Sequence, residues 1–97
     1  MKIPNTFKCA GFEIAIEFLD VLPGNQYATF CDFKNTISIA NHIYIEKDKI
    51  KLTELQQLNS FLHELIHVFQ FYYNNDYIEA EAQVYANFLQ EFINTKC

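Results

Sequence analysis

Residues 53–73 are TELQQLNSFLHELIHVFQFYY, and this stretch decides how the rest of the chain is interpreted. Its apolar residues recur every three or four positions, which is the period of an amphipathic α-helix. The apolar stripe consists of Leu55, Leu58, Leu62, Leu65, Phe69 and Tyr72. Thr53 followed three residues later by Gln56 has the spacing of a capping box, which satisfies backbone N–H groups at a helix start. The sequence therefore predicts a long helix over residues 53–73.

A second helix is expected directly after the first. Asn74-Asn75 can leave the first helix in a left-handed conformation, and Asp76 is a good N-cap for the next one. The predicted apolar stripe of the second helix consists of Ile78, Ala82, Tyr85, Leu89 and Phe92. Two helices joined by a short turn are expected to pack antiparallel as a hairpin.

Before residue 51 the hydrophobic period is two, as in half-buried β-strands. Strands are predicted at residues 12–18, 27–33, 36–40 and 42–46. The sequence Leu22-Pro23-Gly24-Asn25 ends the first of these, and Asp32-Phe33-Lys34-Asn35 is typical of a hairpin turn between the second and third. We therefore expect an α+β fold, in which a small, mainly antiparallel sheet over residues 12–46 packs against the two-helix hairpin.

The composition limits the classes of function. The chain has 97 residues and a formal charge of −5, so we expect a single domain over residues 1–97. A nucleic-acid binder needs a basic surface that displaces phosphate counterions, and the acidic balance excludes that role as the main one. No stretch approaches the roughly 18 uncharged residues of a membrane span. We therefore expect neither nucleic acid nor a membrane as a partner.

The cysteines indicate a reducing compartment. Cys9, Cys31 and Cys97 are odd in number and widely separated, and no two of them have the spacing of a thiolate zinc site. They do not form the framework of a secreted disulfide-rich domain either. The sequence therefore predicts reduced thiols and a cytoplasmic location.

The motif that carries chemistry is His63-Glu64-Leu65-Ile66-His67. Residues four apart on a helix lie one turn above each other, so His63 and His67 can direct two imidazole nitrogens to one metal ion. Glu64 then lies beside the ion, where it can accept a proton from metal-bound water. Helical geometry puts both histidines on a polar flank that continues through Asn59, Ser60 and Gln70, and this flank is predicted to form the wall of a cleft. The alternative is a solvated helix face that binds no metal.

A third ligand is needed, and the second helix offers Glu79 and Glu81. Both residues flank the apolar stripe, so helical geometry alone does not choose between them. Ala82 and Ala86 lie beside Glu79, and small side chains permit the close helix approach that a shared ion requires, whereas aromatic residues surround Glu81. This favours Glu79. Asp76 and Glu79 also have capping-box spacing, which would engage Glu79 at the helix start instead.

Together these residues resemble the gluzincin metallopeptidases, in which a glutamate on a second helix follows the HExxH helix. The compact size is similar to that of the minigluzincins, and Glu81-Ala82-Gln83-Val84-Tyr85-Ala86 is similar to the Glu-Ala-Asn-x-Phe-Ala pattern of ImmA/IrrE-like peptidases. The resemblance covers roughly residues 27–90. In that family Asp or Asn follows the ligand glutamate by four residues, which maps onto Glu79 and Gln83 and supports Glu79. Gln83 departs from the usual Asp or Asn, which puts its contact with a histidine in doubt.

The resemblance implies a zinc ion held by His63, His67 and Glu79, with Glu64 as general base. It also implies an edge strand above the cleft that binds an extended protein or peptide substrate. The sequence-based hypothesis is thus a zinc-dependent endopeptidase that uses metal-activated water. Candidate donors to the oxyanion are His42, Tyr72, Tyr73 and Tyr77. One alternative is a metal-containing module that binds a peptide or partner without cleaving it, and another is a metal-free interaction domain.

Overall fold

The structure, a computed structural model, describes residues 2–74 and 79–96, except for the side chains of residues 74, 79, 80 and 94–96. Within these residues the fold is α+β, as the sequence predicts. The strands are β1 (Thr6–Cys9), β2 (Phe12–Leu19), β3 (Ala28–Cys31), β4 (Thr36–Ala40), β5 (His42–Ile45) and β6 (Asp48–Lys51). The helices are α1 (Glu54–Phe69) and α2 (Glu79–Lys96).

Strands β1 to β4 form one sheet in the order β1-β2-β4-β3, and β5 pairs with β6 in a separate hairpin. The pairs β1/β2, β3/β4 and β5/β6 are antiparallel, whereas β2/β4 is parallel. The mainly antiparallel arrangement is confirmed, but β1, β6 and the parallel pair were not predicted. Strand β6 has one apolar residue, Ile50, so no alternating pattern marks it.

The predicted turn between β3 and β4 is confirmed. Residues Asp32–Lys34 form a 3₁₀ turn, and Asn35 follows in the left-handed conformation at φ 49° and ψ 49°. Asparagine tolerates this region better than most residues because its short polar side chain can bond locally. The turn reverses the chain so that β3 lies at the edge of the sheet beside α1.

Helix α1 begins with the predicted capping box. The Thr53 N–H donates to Gln56 Oε1 at 2.8 Å, and the Gln56 N–H donates to Thr53 Oγ1 at 3.1 Å. The regular helix ends at Phe69 and continues as a π-helical turn over Gln70–Asn74, so the chain does not keep the 3.6-residue period to residue 73. The predicted left-handed exit is wrong for Asn74, which belongs to this turn, while residues 75 and 76 lie outside the described part of the chain.

The main core joins the sheet to both helices. Its buried members are Ile14, Ile37, Ile39, Leu58, Phe61, Leu62, Val68 and Ala86. Ala82 and Ala86 of α2 are fully buried, as expected for a close helix pair, and Leu89 packs at the edge of the core. The predicted stripe of α2 is wrong at Tyr85 and Phe92, which are 49% and 52% exposed. The hairpin packs through the small residues, and this rotates both aromatic side chains outward; Ile78 lies outside the described residues.

Candidate metal centre

Helix α1 brings His63, Glu64 and His67 together. One ligand atom from each lies within 4.8 Å of the others, and this group, found among the described residues, could hold a metal ion. The Nε2 atoms of His63 and His67 are 3.1 Å apart. Two nitrogens bound tetrahedrally to one zinc ion at about 2.0–2.1 Å would be about 3.3–3.4 Å apart. The pair therefore fits such an ion after a shift of only a few tenths of an ångström.

The partner of His63 is Gln83 of α2. His63 Nδ1 lies 2.9 Å from Gln83 Oε1. The Gln83 amide nitrogen donates to Asn59 Oδ1 at 3.0 Å and to Asn87 Oδ1 at 2.8 Å, so the amide oxygen is the end that faces the imidazole. In this orientation the network favours the Nδ1–H form of neutral His63, in which Nε2 is the acceptor atom. The second-helix contact that the sequence left in doubt is therefore made, although by glutamine rather than Asp or Asn.

The partner of His67 is Gln70, in the π-helical turn. His67 Nδ1 lies 2.9 Å from Gln70 Oε1, and Gln70 Nε2 donates to Glu81 Oε1 at 2.7 Å. The proton of neutral His67 is thus also assigned to Nδ1. With both protons on Nδ1, two acceptor nitrogens face each other at 3.1 Å without a hydrogen bond, and this is the arrangement that a metal ion between them requires.

The two histidines differ in depth. His67 and Gln70 are 2% and 1% exposed, whereas His63 is partly exposed. The expectation that Gln70 forms part of a polar cleft wall is therefore wrong, because Gln70 lies beneath the site and not on its surface. Glu64 is buried at 9% exposure and contributes to the same cleft as His63. The site thus has one buried histidine, one histidine at the cleft and a carboxylate beside it.

The cleft has a volume of about 470 Å³ and lies between α1 and the start of β3. Its lining comprises residues 26–29, Asn59, Ser60 and Gln83, together with His63 and Glu64. The predicted role of Asn59 and Ser60 as a cleft wall is confirmed. Tyr27, which the sequence reasoning missed as a site residue, also lines the cleft. Its proximity to α1 depends on the sheet order, so no local pattern could have revealed it.

Strand β3 presents backbone groups at this cleft. Among the described strands its neighbour is β4, and the Ala40 N–H donates to the Tyr27 carbonyl at 2.9 Å. Antiparallel partners alternate between bonded and non-bonded pairs, so Thr29 bonds to β4 while Ala28 and Phe30 direct their N–H and C=O groups away from it. Ala28 lines the cleft together with His63 and Glu64, which places hydrogen-bonding backbone on the same cleft as these two residues.

The structure describes the side chain of one of the two candidates for the third ligand, Glu81. Glu79 begins α2, but its side chain lies outside the described part of the chain. The capping interaction proposed between Asp76 and Glu79 lies outside it as well. Glu81 accepts a hydrogen bond from Gln70, and it does not belong to the metal-ligating group found among the described residues. This engagement of Glu81 is consistent with the preference for Glu79.

Three candidate oxyanion donors make contacts outside the cleft. Tyr72 donates its hydroxyl hydrogen to Asn35 Oδ1 and stacks on Phe12. Desolvation raises the pKa of Tyr72 above its ordinary value, and the charges of nearby Cys9 and Asp32 act in the same direction.

Tyr73 packs against Phe69, and His42 Nδ1 lies 2.9 Å from Asp20 Oδ1. Within the described residues, His42, Tyr72 and Tyr73 do not line the cleft. Tyr77 lies outside the described residues.

The fold and the site define the class of protein as an α+β domain whose HExxH helix could hold a metal ion. No protein-family model, curated protein or solved structure matches the chain. Across the described residues, no helix combines the length and apolar character needed to cross a membrane. Cys9 and Cys31 are free cysteines.

Proposed function

We propose that the protein is a zinc-dependent endopeptidase. The observation that carries the proposal is the convergence of His63 and His67 Nε2 at 3.1 Å, on the helix that also holds Glu64. Zinc suits this donor set because it binds imidazole nitrogen and carboxylate oxygen in a tetrahedral arrangement. His63, His67 and Glu79 would hold the ion. When bound, the ion lowers the pKa of a coordinated water towards neutrality and polarises the substrate carbonyl.

The residues of the chain have distinct tasks in this reaction. Glu64 accepts a proton from the attacking water and later donates it to the leaving amine. Gln83 and Gln70 hold the imidazoles in the orientation that keeps Nε2 an acceptor. The burial of Glu64 and His67 limits the water around the reacting groups, and this strengthens the electrostatic interactions among them.

The edge of β3 supports a peptide as the substrate. The outward backbone groups of Ala28 and Phe30 can pair with an extended chain, as in the addition of a strand to a sheet edge. Main-chain hydrogen bonds of this kind bind a peptide with little dependence on its side chains. A peptide bound there passes the side of the cleft that contains His63 and Glu64.

One observation favours a second candidate function, a metal-containing module that binds peptides without cleaving them. An endopeptidase benefits from a donor to the developing oxyanion. His42, Tyr72 and Tyr73 are engaged outside the cleft. The binding module needs only the metal-bearing fold and the open edge of β3.

The deciding experiment combines metal analysis with a cleavage assay. We expect the purified protein to bind close to one zinc ion per chain and to cut members of a mixed peptide library, with new termini identified by mass spectrometry. A chelator should stop the cleavage, and added zinc should restore it. Stoichiometric zinc with peptide binding but no cleavage would favour the binding module, and absence of zinc binding would overturn both metal-dependent functions.

The third ligand can be tested by paired substitutions on α2. Loss of an outer-shell partner typically weakens metal affinity about 10- to 100-fold, so removal of a direct ligand should exceed that range. We expect Glu79→Ala to weaken zinc binding more than about 100-fold and Glu81→Ala no more than about 10-fold. Competition with a zinc-binding dye measures both. The reverse order would make Glu81 the ligand.

A further inference from the structure

We propose that Gln70 is a positioning residue of the metal centre and that the Glu81 carboxylate determines which end of the Gln70 amide faces His67. The role in metal binding rests on the proposed function. The assignment of the His67 proton does not, because it concerns the protein without metal. Neither residue touches the substrate in this proposal, since both act through His67.

The polarity of the hydrogen-bond chain carries the argument. An amide has one donor end and one acceptor end, whereas an ionised carboxylate only accepts. Gln70 Nε2 donates to Glu81 Oε1 at 2.7 Å, which leaves Oε1 of Gln70 to face His67 Nδ1 at 2.9 Å. The imidazole then donates from Nδ1, and its Nε2 is an acceptor that lies 3.1 Å from His63 Nε2. Two acceptor nitrogens do not bond to each other, so in the metal-free protein this contact is a hydrogen bond only when His63 carries its proton on Nε2. The charge on Glu81 thus fixes the His67 tautomer through a neutral side chain.

Burial makes this orientation consequential. Gln70 and His67 are 1% and 2% exposed, so water is a poor substitute for either partner. If the Gln70 amide were reversed, its N–H would face the Nδ1–H of His67 and its oxygen would face the Glu81 carboxylate, so both hydrogen bonds would be lost. His67 would then move its proton to Nε2, and this tautomer has no lone pair available for a metal on that atom.

The backbone that carries Gln70 is held in place by packing. The Gln70 N–H donates to the carbonyls of both His67 and Ile66 as α1 passes into the π-helical turn. The next two residues are anchored on the sheet by ring contacts, Phe71 against Phe30 at 6.0 Å and Tyr72 against Phe12 at 5.1 Å between centroids. The helix widens into the π-helical turn at this point, and the aromatic contacts hold in place the turn that carries the Gln70 amide.

The two histidines are therefore held differently. The chain from His63 runs through Gln83 to the neutral amides of Asn59 and Asn87, whereas the chain from His67 ends on a charge. A carboxylate polarises the amide that donates to it and strengthens the acceptor at the other end. Loss of the Glu81 charge should consequently act first on His67, and His63 should respond only through the 3.1 Å contact between the two Nε2 atoms.

Nuclear magnetic resonance of the imidazole nitrogens in metal-free protein tests the tautomer directly, at a pH where both histidines are neutral. In the wild type we expect the proton of His67 on Nδ1. Glu81→Gln should add the Nε2–H form to His67, because the new amide can present either end to Gln70. Gln70→Met, which removes the hydrogen bonds at similar volume, should do the same. Gln83→Met is the matched control, which removes the partner of His63 and should leave the His67 proton on Nδ1.

Metal affinity supplies the second readout. Zinc binding should weaken about 10- to 100-fold in Gln70→Met, and no more than about 10-fold in Glu81→Gln. The double variant Gln70→Glu with Glu81→Gln moves the carboxylate next to His67 and should restore the Nδ1–H form and most of the affinity. A purely structural role would predict no such rescue.

Two results would overturn the proposal. One is a His67 proton on Nε2 in the wild type. The other is a His67 tautomer and a zinc affinity that stay as in the wild type in both Gln70→Met and Glu81→Gln. If Gln70→Met fails to fold, the conservative Glu81→Gln variant and the double variant decide the question. None of these measurements uses a peptide, so an absence of cleavage would count against the endopeptidase function and not against the roles of Gln70 and Glu81.

Discussion

Replacement of Glu64 by Gln is expected to leave zinc bound and to slow peptide cleavage by a factor of about 10² to 10⁴, the usual contribution of a general base. The amide of glutamine has nearly the shape of the carboxylate but cannot accept the proton of the attacking water. Glu64 is 9% exposed, so the matched size should preserve the packing around it. The measurement is the cleavage rate of a peptide selected from the library, together with zinc content.

A matched control distinguishes this effect from a general change in charge. Glu54→Gln removes a carboxylate from the exposed first turn of the same helix and should leave the cleavage rate unchanged. Equal cleavage by the Glu64→Gln variant and the wild type would mean that Glu64 is not the general base or that a contaminant causes the cleavage. If the wild type binds peptide without cleaving it, and the Glu64→Gln variant binds the peptide equally tightly, the result would support the binding module.

Hydrophobic spacing and capping patterns predicted the strands and helices whose formation depends on residues close together in the sequence. The alternation in β2 and the three-four spacing in α1 each report which side chains share a face, and the capping box is complete within four residues. The neighbours of each strand are not encoded in this way. The parallel pairing of β2 with β4 puts β3 at the sheet edge, and no alternating pattern distinguishes that order from a simple meander.

Residue size explains the error in α2. Tyr85 and Phe92 were assigned to the core because they are large and apolar, yet Ala82 and Ala86 are the fully buried residues. A helix hairpin packs closely only where side chains are small, and the larger rings are then turned to the flanks. Hydrophobicity alone ranks these residues in the opposite order.

The residues of the candidate site also differ in whether local sequence patterns could predict their contacts. The grouping of His63, Glu64 and His67 was predicted because residues with this spacing lie within about one turn of a helix, and the structure brings the three together. The contact between Gln83 and His63 crosses 20 residues and depends on how the helices pack, so the sequence left it open. Gln70 is only three residues from His67, but its burial and its bond to Glu81 follow from the π-helical turn, which the regular helical period does not predict.

The second large effect is expected from the histidines themselves. His63→Ala and His67→Ala should each weaken zinc binding more than about 100-fold, beyond the loss typical of outer-shell changes. Zinc at about 100 times its dissociation constant stabilises a protein by about 2.7 kcal/mol, so added zinc should raise the melting temperature of the wild type and not that of either variant. Ser60→Ala, in the same cleft wall, should retain the response.

The two substitutions should differ in the metal-free protein. His67 is 2% exposed, and its removal leaves a cavity and takes away a hydrogen-bond partner of the buried Gln70, at a cost of about 1–3 kcal/mol. His63 is partly exposed, and water can replace it as the partner of Gln83. Denaturant unfolding in a chelator should therefore show a clear loss of stability for His67→Ala and little change for His63→Ala. Wild-type zinc affinity in both variants would move the metal site away from α1, because no ion shared by these two imidazoles could tolerate the loss of either.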